Sequence, residues 1–429
     1  MKKIISWLLL LFLFLLPWQT RFIYQPGSLN GGAWEYGTLS IYATELLLGL
    51  AILLALVSAW RERIWRQTVD APARSRRRRT LVLFGLGLIF LLTAILTSPL
   101  PAVTAQWVSW VIEGAAAVAL LKIYVNDSRA AGLAFWLGGA GQGLLAVGQF
   151  FTQTVIANKW LGLAAHAPSQ LGDFVIEAGG ERWLRAYGAF GSPNILGGYL
   201  AVAWVIGFLT YPLLRGRARY WVAAGQLIIL SGLIFSFSRG AWLAAVGGII
   251  VTVIATRKRF YPLLAKSLLY SFLLIIALLL IFPPLFSARF SAASRLEAKS
   301  FTERRSQWAA AGQMITRSPL WGVGPGIYTA AQYQQNPRLP AWQYQPVHNS
   351  YLLALAEVGL VGFLILILMI FYFLKYIWRQ NKFFLPVVAV VMLSAFFDHF
   401  WWSLYAGQML GWAILGLSIV VDNYPEAVS

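Results

Sequence analysis

The sequence contains no cysteine and very few charged residues. Of its 429 residues 11% are charged, 15 are acidic and three are histidines. The absence of cysteine excludes disulfides, thiolate metal sites and cysteine nucleophiles. The three histidines, His166, His348 and His399, show no metal-ligand spacing, and no zinc-protease motif, P-loop lysine or acidic metal cluster is present in the sequence. We therefore expect neither a metal nor a cofactor.

Hydrophobic residues are correspondingly abundant, at 59% of the chain, and the mean hydropathy is +0.67. Soluble domains carry about 25% charged residues. Long uncharged apolar runs are typical of membrane spans. The net charge of +19 could suggest a nucleic-acid partner, but most basic residues lie in short loops between apolar runs, where they orient a membrane protein and contact anionic lipids. We expect an all-α integral membrane protein that contacts membrane lipids and no nucleic acid.

The apolar runs predict about 12 transmembrane helices within a single polytopic membrane domain, residues 1–429. The predicted spans are 4–18, 39–60, 81–98, 103–121, 130–151, 193–214, 220–237, 241–256, 262–283, 350–374, 383–397 and 404–421. Several are shorter than the ~20 residues that a bilayer core requires, so tilt or local thinning is expected. The first run could instead be a signal peptide, but no small-residue cleavage site follows it.

The distribution of lysine and arginine predicts the orientation of these spans. If the N-terminus is inside, 22 of the 34 basic residues fall in inner segments, so both termini are expected in the cytoplasm. The predicted organisation is spans 1–5 at 1–151, an outer loop at 152–192, spans 6–9 at 193–283, a large outer loop at 284–349, and spans 10–12 with a cytoplasmic tail at 350–429.

The large outer loop between spans nine and ten is expected to be helical. Two amphipathic surface helices are predicted there, at Ala288–Ala298 and Phe301–Thr316, and Pro319 should stop the second. The glycines between Gly322 and Gly326 predict tight turns. Long ordered loops are uncommon and often functional, so we expect this loop to contribute to a site.

Four ionisable residues are predicted to share the outer side: Arg185, Arg239, Arg304 and His348. Guanidinium groups match phosphate oxygens, so converging arginines could hold a diphosphate without a metal. A histidine can take a proton from an attacking hydroxyl. The plainer interpretations are that each arginine snorkels to lipid head groups or pairs with a nearby acid, and that His348 only caps a helix.

Several motifs resemble the O-antigen ligase and O-antigen polymerase superfamily of bacterial membrane glycosyltransferases. They are Phe190–Asn194 with Gly198–Leu200, Ser238–Gly240, Arg304–Trp308 leading to Pro319 and Gly322–Gly326, His348–Leu352 with Glu357 and Gly359, and a late segment at Asp398–Trp401. The resemblance covers about residues 180–420. No single motif is very specific, so the resemblance rests on the order of the motifs, their spacing and their predicted location on one side of the membrane.

The resemblance implies a metal-independent, inverting glycan transfer at the outer face of the bacterial cytoplasmic (inner) membrane. The donor would be an undecaprenyl-diphosphate glycan. A ligase of lipopolysaccharide biosynthesis would transfer it to a lipid A-core sugar or other glycan acceptor, and a polymerase to another lipid-linked repeat unit. The residues carried over are His348 as general base, Arg185, Arg239 and Arg304 or its neighbour Arg305 for the diphosphate, and Asn194, Ser238, Trp308, Asn349, Tyr351 and Glu357 in support.

Three functions remain to be distinguished. The leading hypothesis is an O-antigen ligase, with a polymerase of O-antigen or exopolysaccharide as the alternative in the same family. A lipid-linked sugar transporter is the alternative from another class, although transporters usually place polar sites at mid-membrane in broken helices related by repeats. A non-catalytic scaffold would tolerate loss of His348.

Overall fold

The computed structural model describes residues 1–62, 87, 89–211, 214, 216–255, 261–291 and 295–420. Helices dominate these residues. They are α1 (Lys2–Leu15), α2 (Ala43–Glu62), α3 (89–97), α4 (Pro101–Tyr124), α5 (Ser128–Thr152), α6 (Pro193–Thr210), α7 (Arg217–Phe235), α8 (Arg239–Ala255), α9 (Tyr261–Ile281), α10 (Pro283–Phe290), α11 (Arg295–Arg317), α12 (Tyr328–Gln335), α13 (Ser350–Gln380), α14 (Leu385–Ala395), α15 (Phe400–Ser403) and α16 (Tyr405–Val420). Six short strands form three antiparallel pairs: β1 (Arg21–Gln25) with β4 (Leu39–Tyr42), β2 (Ser28–Leu29) with β3 (Gly32–Ala33), and β5 (Val175–Ala178) with β6 (Glu181–Leu184).

Within the described residues, seven helices are long and apolar enough to cross a membrane, and three shorter apolar helices accompany them. The seven lie in α2, α4, α5, α6, α7, α9 and α13, and the shorter ones include α8, α14 and α16. This agrees with the predicted all-α membrane protein, while the count of twelve stays a prediction. Of the span predicted at 81–98, residues 81–86 and 88 lie outside the described residues, and residues 89–97 form α3. The one predicted from residue 39 begins later, because 39–42 form strand β4.

Helix α6 lies at the centre of the bundle, with 94% of its apolar window buried. It packs against α5, α7, α8 and α14. Small residues permit this close packing: a Cβ on Gly198 would lie 2.7 Å from the ring of Phe400. By contrast, only 11% of the window in α9 is buried. The start of α6, which begins at Pro193 after the N-cap Ser192, is therefore positioned by its neighbouring helices.

The outer loop before α13 departs in part from prediction. A helix was expected at Ala288–Ala298, but α10 ends at Phe290 and Ser291 is extended, and residues 292–294 lie outside the described part. The helix predicted at Phe301–Thr316 was correct in position but begins earlier, at Arg295. It ends two residues before Pro319, as a proline in the following chain favours.

A break in α13 fixes the loop that precedes it. Gly359 interrupts the helix with φ 62° and ψ −172°. There the chain from Pro319 docks on the broken turn: the amide of Leu360 donates to the carbonyl of Pro319 at 2.8 Å, and that of Gly324 donates to Glu357 at 2.8 Å. Gly322, Gly324 and Gly326 all have positive φ, which confirms the predicted tight turns.

The first outer segment, between α1 and α2, covers part of this loop. Its hairpins contact residues about 300 positions later in the chain. Asn30 donates to the carbonyls of Pro337 and Leu339, both at 2.7 Å, and the indole of Trp34 donates to Thr329 at 3.0 Å. The prediction missed these hairpins because their strands have only two to five residues.

Gly359→Ala should lower the thermal unfolding midpoint of the purified protein. A Cβ at this position would lie 2.3 Å from the carbonyl oxygen of Leu320, in a backbone conformation that L-residues rarely adopt. Such strain costs roughly 1–3 kcal/mol before any steric clash. The matched control is Gly312→Ala in α11, where nothing lies within 4 Å of the added carbon and helix propensity favours alanine. Equal midpoints for the two variants would show that the break does not depend on glycine.

Candidate active site

A cavity of about 260 Å³ opens where the first turns of α6 and α8 and the last turn of α14 meet α10 and α11. Its lining combines three arginines with one carboxylate and small or aromatic residues. The lining residues are Asn194, Gly198, Ser238, Arg239, Gly240, Ala241, Leu243, Arg289, Arg304, Ser394, Phe397, Asp398 and Phe400. The fold thus gathers chain segments more than 200 residues apart at one end of the bundle.

Arg239 occupies the first position of α8, immediately after the tight turn from α7. Phe237 makes that turn with φ 47°, and the carbonyl of Ser238 accepts the amide of Trp242 at 3.0 Å. The side chain of Arg239 is 41% exposed, and its Nη2 lies 2.6 Å from Oε2 of Glu297. The guanidinium of Arg239 is thus partly exposed where it lines the cavity.

Two of the predicted arginines differ in how they relate to the cavity. Arg304 lines it, whereas the side chain of its neighbour Arg305 is exposed. Arg185 is buried behind the wall: its Nε donates to the carbonyl of Ser236 at 2.8 Å and its Nη2 to Oδ1 of Asn194 at 2.8 Å. Arg185 therefore fixes the cavity wall and has no lining position of its own.

The carboxylate of Asp398 connects this wall to His348. Its Oδ2 accepts from Nδ2 of Asn194 at 3.0 Å and lies 3.6 Å from Nδ1 of His348. Its Oδ1 accepts from the backbone amide of His399 at 2.7 Å. Arg185, Asn194 and Asp398 are thus joined by hydrogen bonds, and His348 lies next to Asp398 but is not among the residues that line the cavity.

His348 is fixed by the start of α13. Asn349 caps that helix, accepting the amides of Tyr351 and Leu352 at 3.0 Å each, and the hydroxyl of Ser350 donates to the carbonyl of Asp398 at 2.7 Å. With Nδ1 facing Asp398, the imidazole directs its Nε2 away from that carboxylate. The side chain of His348 is 27% exposed, so a substrate hydroxyl could reach it.

The charges in this region are set by burial and by neighbouring groups. Burial acts to raise the pKa of Asp398, but interaction with His348 and His399 brings it well below its usual value, so the carboxylate is ionised at pH 7. Burial lowers the pKa of His399 to about 4, which leaves that imidazole neutral. Burial also lowers the pKa of Arg304, opposed by Asp398, and lowers that of Arg185, as does the neighbouring Arg289.

His348, Asp398 and His399 could also be considered as metal ligands, since their ligating atoms lie within 4.8 Å of one another. The closest nitrogen–oxygen separations are 3.6 and 3.9 Å. Two of these groups have hydrogen-bond partners in the protein: Nδ1 of His399 lies 2.7 Å from the hydroxyl of Ser403, and Oδ1 of Asp398 accepts the amide of His399.

The remaining predicted residues lie around the site. Glu357 is buried and accepts the amides of Gly326 and Tyr328 at 2.8 and 3.1 Å, and the indole of Trp402 at 2.7 Å, so it anchors the glycine-rich loop. Tyr351 donates its hydroxyl to the carbonyl of Met392 at 2.9 Å. Trp308 is 54% exposed on α11. Ser238 lines the cavity.

Two cavity residues were missed by sequence reasoning. Asp398 was noted only as part of a motif, although an acid at the outer end of the spans in a chain with 15 acids was a usable signal. Arg289 was assigned to a predicted surface helix. Its Nε donates to the carbonyl of Phe237 at 2.9 Å, a contact that depends on two distant turns and that no local pattern indicates.

Comparison with known proteins gives one family match. The family described as O-antigen ligase (Wzy_C) matches residues 224–367, a region that contains Arg239, Arg304 and His348 and ends before Asp398. No curated protein sequence matches the chain. The matched region begins within α7 and ends within α13, and it contains Arg239, Arg289, Arg304 and His348. This part of the chain is therefore similar to the O-antigen ligase family, which supports the resemblance seen in the sequence.

Proposed function

We propose that this protein is a membrane glycosyltransferase that moves a glycan from an undecaprenyl-diphosphate donor to a sugar hydroxyl at the outer face of the bacterial cytoplasmic membrane. The family match supports an enzyme of the ligase and polymerase type. The observation that carries the proposal is that Asp398, which lines a cavity together with three arginines, also lies 3.6 Å from Nδ1 of His348. A base beside an anion site is what glycosyl transfer with a diphosphate leaving group requires.

The cavity is suited to the donor diphosphate. Four guanidiniums, on Arg185, Arg239, Arg289 and Arg304, face two carboxylates, on Glu297 and Asp398, leaving two positive charges in excess. A diphosphate diester carries about two negative charges, which this excess balances. Arg239 and Arg304 contact the phosphates in our proposal, and Arg185 holds Asn194 in place. Their charges stabilise the leaving group as its negative charge grows in the transition state.

His348 serves as the general base. Asp398 orients the imidazole through Nδ1, so the lone pair on Nε2 is available for the acceptor hydroxyl. As the hydroxyl oxygen bonds to the anomeric carbon, its proton passes to His348. The bond from that carbon to the diphosphate oxygen breaks, and the leaving group keeps the electron pair. Asp398 then stabilises the imidazolium, which is the role of the carboxylate in related triads.

We propose that the reaction needs no metal, because the arginines supply the charge that a cation would otherwise provide. Their excess positive charge also disfavours the binding of a divalent ion at Asp398, because Arg304 already interacts electrostatically with this carboxylate. Among the acceptors, we favour a lipid A-core sugar, which makes the protein an O-antigen ligase. A lipid-linked repeat unit would make it a polymerase, and the donor half of the site would be the same.

Purified protein should transfer the glycan of an undecaprenyl-diphosphate oligosaccharide to lipid A-core in the presence of EDTA. His348→Ala should lower the rate by about 10²–10⁴, the usual contribution of a general base, and leave donor affinity near that of the wild type. Growth of lipid-linked chains without added acceptor would indicate a polymerase. Absence of both products from folded protein, or loss of activity on chelation, would contradict the proposal.

Arg239→Ala and Arg304→Ala should each reduce kcat/KM by about 10²–10³, because each removes a charge that stabilises the leaving group. Arg305→Ala is the matched control, since the exposed neighbour on the same helix should change the rate by no more than about threefold. Rates measured at equal salt concentration check this. Equal losses at Arg304 and Arg305 would show that the effect comes from the general charge of α11.

Asp398→Asn should lower the maximum rate of transfer by about 10²-fold or more, because the imidazolium formed during transfer loses its partner. Asp173→Asn, which affects the His166 pair in the loop between α5 and α6, is the control and should leave the rate near that of the wild type. A wild-type rate in Asp398→Asn would exclude a role of Asp398 in supporting the base.

A further inference from the structure

Glu297 neutralises two arginines at the edge of the cavity. It lies in the first turn of α11, and its side chain is only 10% exposed. Oε2 lies 2.6 Å from Nη2 of Arg239, and Oε1 contacts Nη1 of Arg289. The two oxygens of one carboxylate thus bridge two guanidiniums that line the cavity. Two oxygens of a phosphate could bridge them in the same way.

Arg289 is held so that it can serve an anion in the cavity. Its Nε donates to the carbonyl of Phe237, and its own carbonyl accepts from Nη1 of Arg239 at 3.3 Å. Its Nη1 is engaged by Glu297. Burial lowers the pKa of Arg289, while Glu297 acts in the opposite direction. Keeping Arg289 charged is therefore unfavourable unless an anion lies close to it, both before and after the donor binds.

We propose that Glu297 is an internal competitor for the diphosphate site: its carboxylate occupies Arg239 and Arg289 when the site is empty, and the donor displaces it. The inference rests on the proposed function and adds Arg289 to the donor-binding residues. Arg239 cannot give Nη2 fully to both Glu297 and a phosphate, so the two anions compete for it. Binding of the donor thereby exchanges one anion for another, and the buried guanidinium stays paired.

The competition matters most after transfer. Breaking the bond to the sugar leaves undecaprenyl diphosphate with one more ionisable oxygen than the donor had, so the by-product is attracted to the arginines more strongly than the donor. Such a site would retain its product. Because Glu297 returns to Arg239 and Arg289, it lowers the affinity for that product and empties the site for the next donor.

Glu297→Gln tests this with inorganic pyrophosphate as the binding probe. The neutral amide should bind pyrophosphate about tenfold more tightly than the wild type, since a competing charge has been removed. The ratio of the multiple-turnover rate to the single-turnover rate should fall several-fold because product release becomes slow. Glu303→Gln is the matched control on the same helix, where the acid pairs with exposed Lys299 at 3.7 Å.

The outcomes separate this inference from the proposed function. If the wild type and Arg239→Ala both fail to bind pyrophosphate, the diphosphate site itself is wrong. If the wild type binds it through Arg239 but Glu297→Gln binds it equally or more weakly, the competitor role is overturned. Thermal unfolding of each variant controls for folding, and Glu297→Asp, which keeps the charge, should not gain the tenfold affinity even if the amide variant proves unstable.

Discussion

The site depends on one buried carboxylate. Asp398 accepts a hydrogen bond from Asn194, which is itself bonded to Arg185, and it lies next to His348. A carboxylate buried without donors would take up a proton, but here an amide side chain, a backbone amide and an imidazole surround it. Its charge aligns the imidazole on one side and orients Asn194 on the other. Asp398 consequently sets the position of His348 relative to the arginine-lined cavity.

The second constraint is the docking of backbone against backbone at the broken turn of α13. Gly322 and Gly359 approach so closely that a Cβ on either would overlap a main-chain atom of the other segment. Glu357 reinforces the contact by accepting two amides from the same loop. The break separates the first two turns of α13, which carry the site, from the apolar remainder. A membrane-embedded helix thus supports a rigid outer extension.

The sequence allowed correct predictions where a structural feature depends on neighbouring residues. The turns at Gly322–Gly326 and the arginine at the start of α8 each follow from a few neighbouring residues, and the structure contains both. A helix cap was considered at His348, but the residue that caps α13 is Asn349. Arg289, by contrast, is defined by a carbonyl 52 residues away, and the partnership of Asn194 with Asp398 spans 204 residues. Pairings of that kind depend on helix packing, which residue periodicity does not specify. The choice between Arg304 and Arg305 likewise needed the rotation of α11.

Several contacts join residues that are synthesised early to partners that are synthesised much later. Trp34 and Asn30 find their partners beyond residue 328, and Asn194 finds its partner at 398. During synthesis the ribosome therefore delivers the cavity arginines before Asp398. The cavity is complete only after the segment that contains Asp398 has packed against the earlier helices.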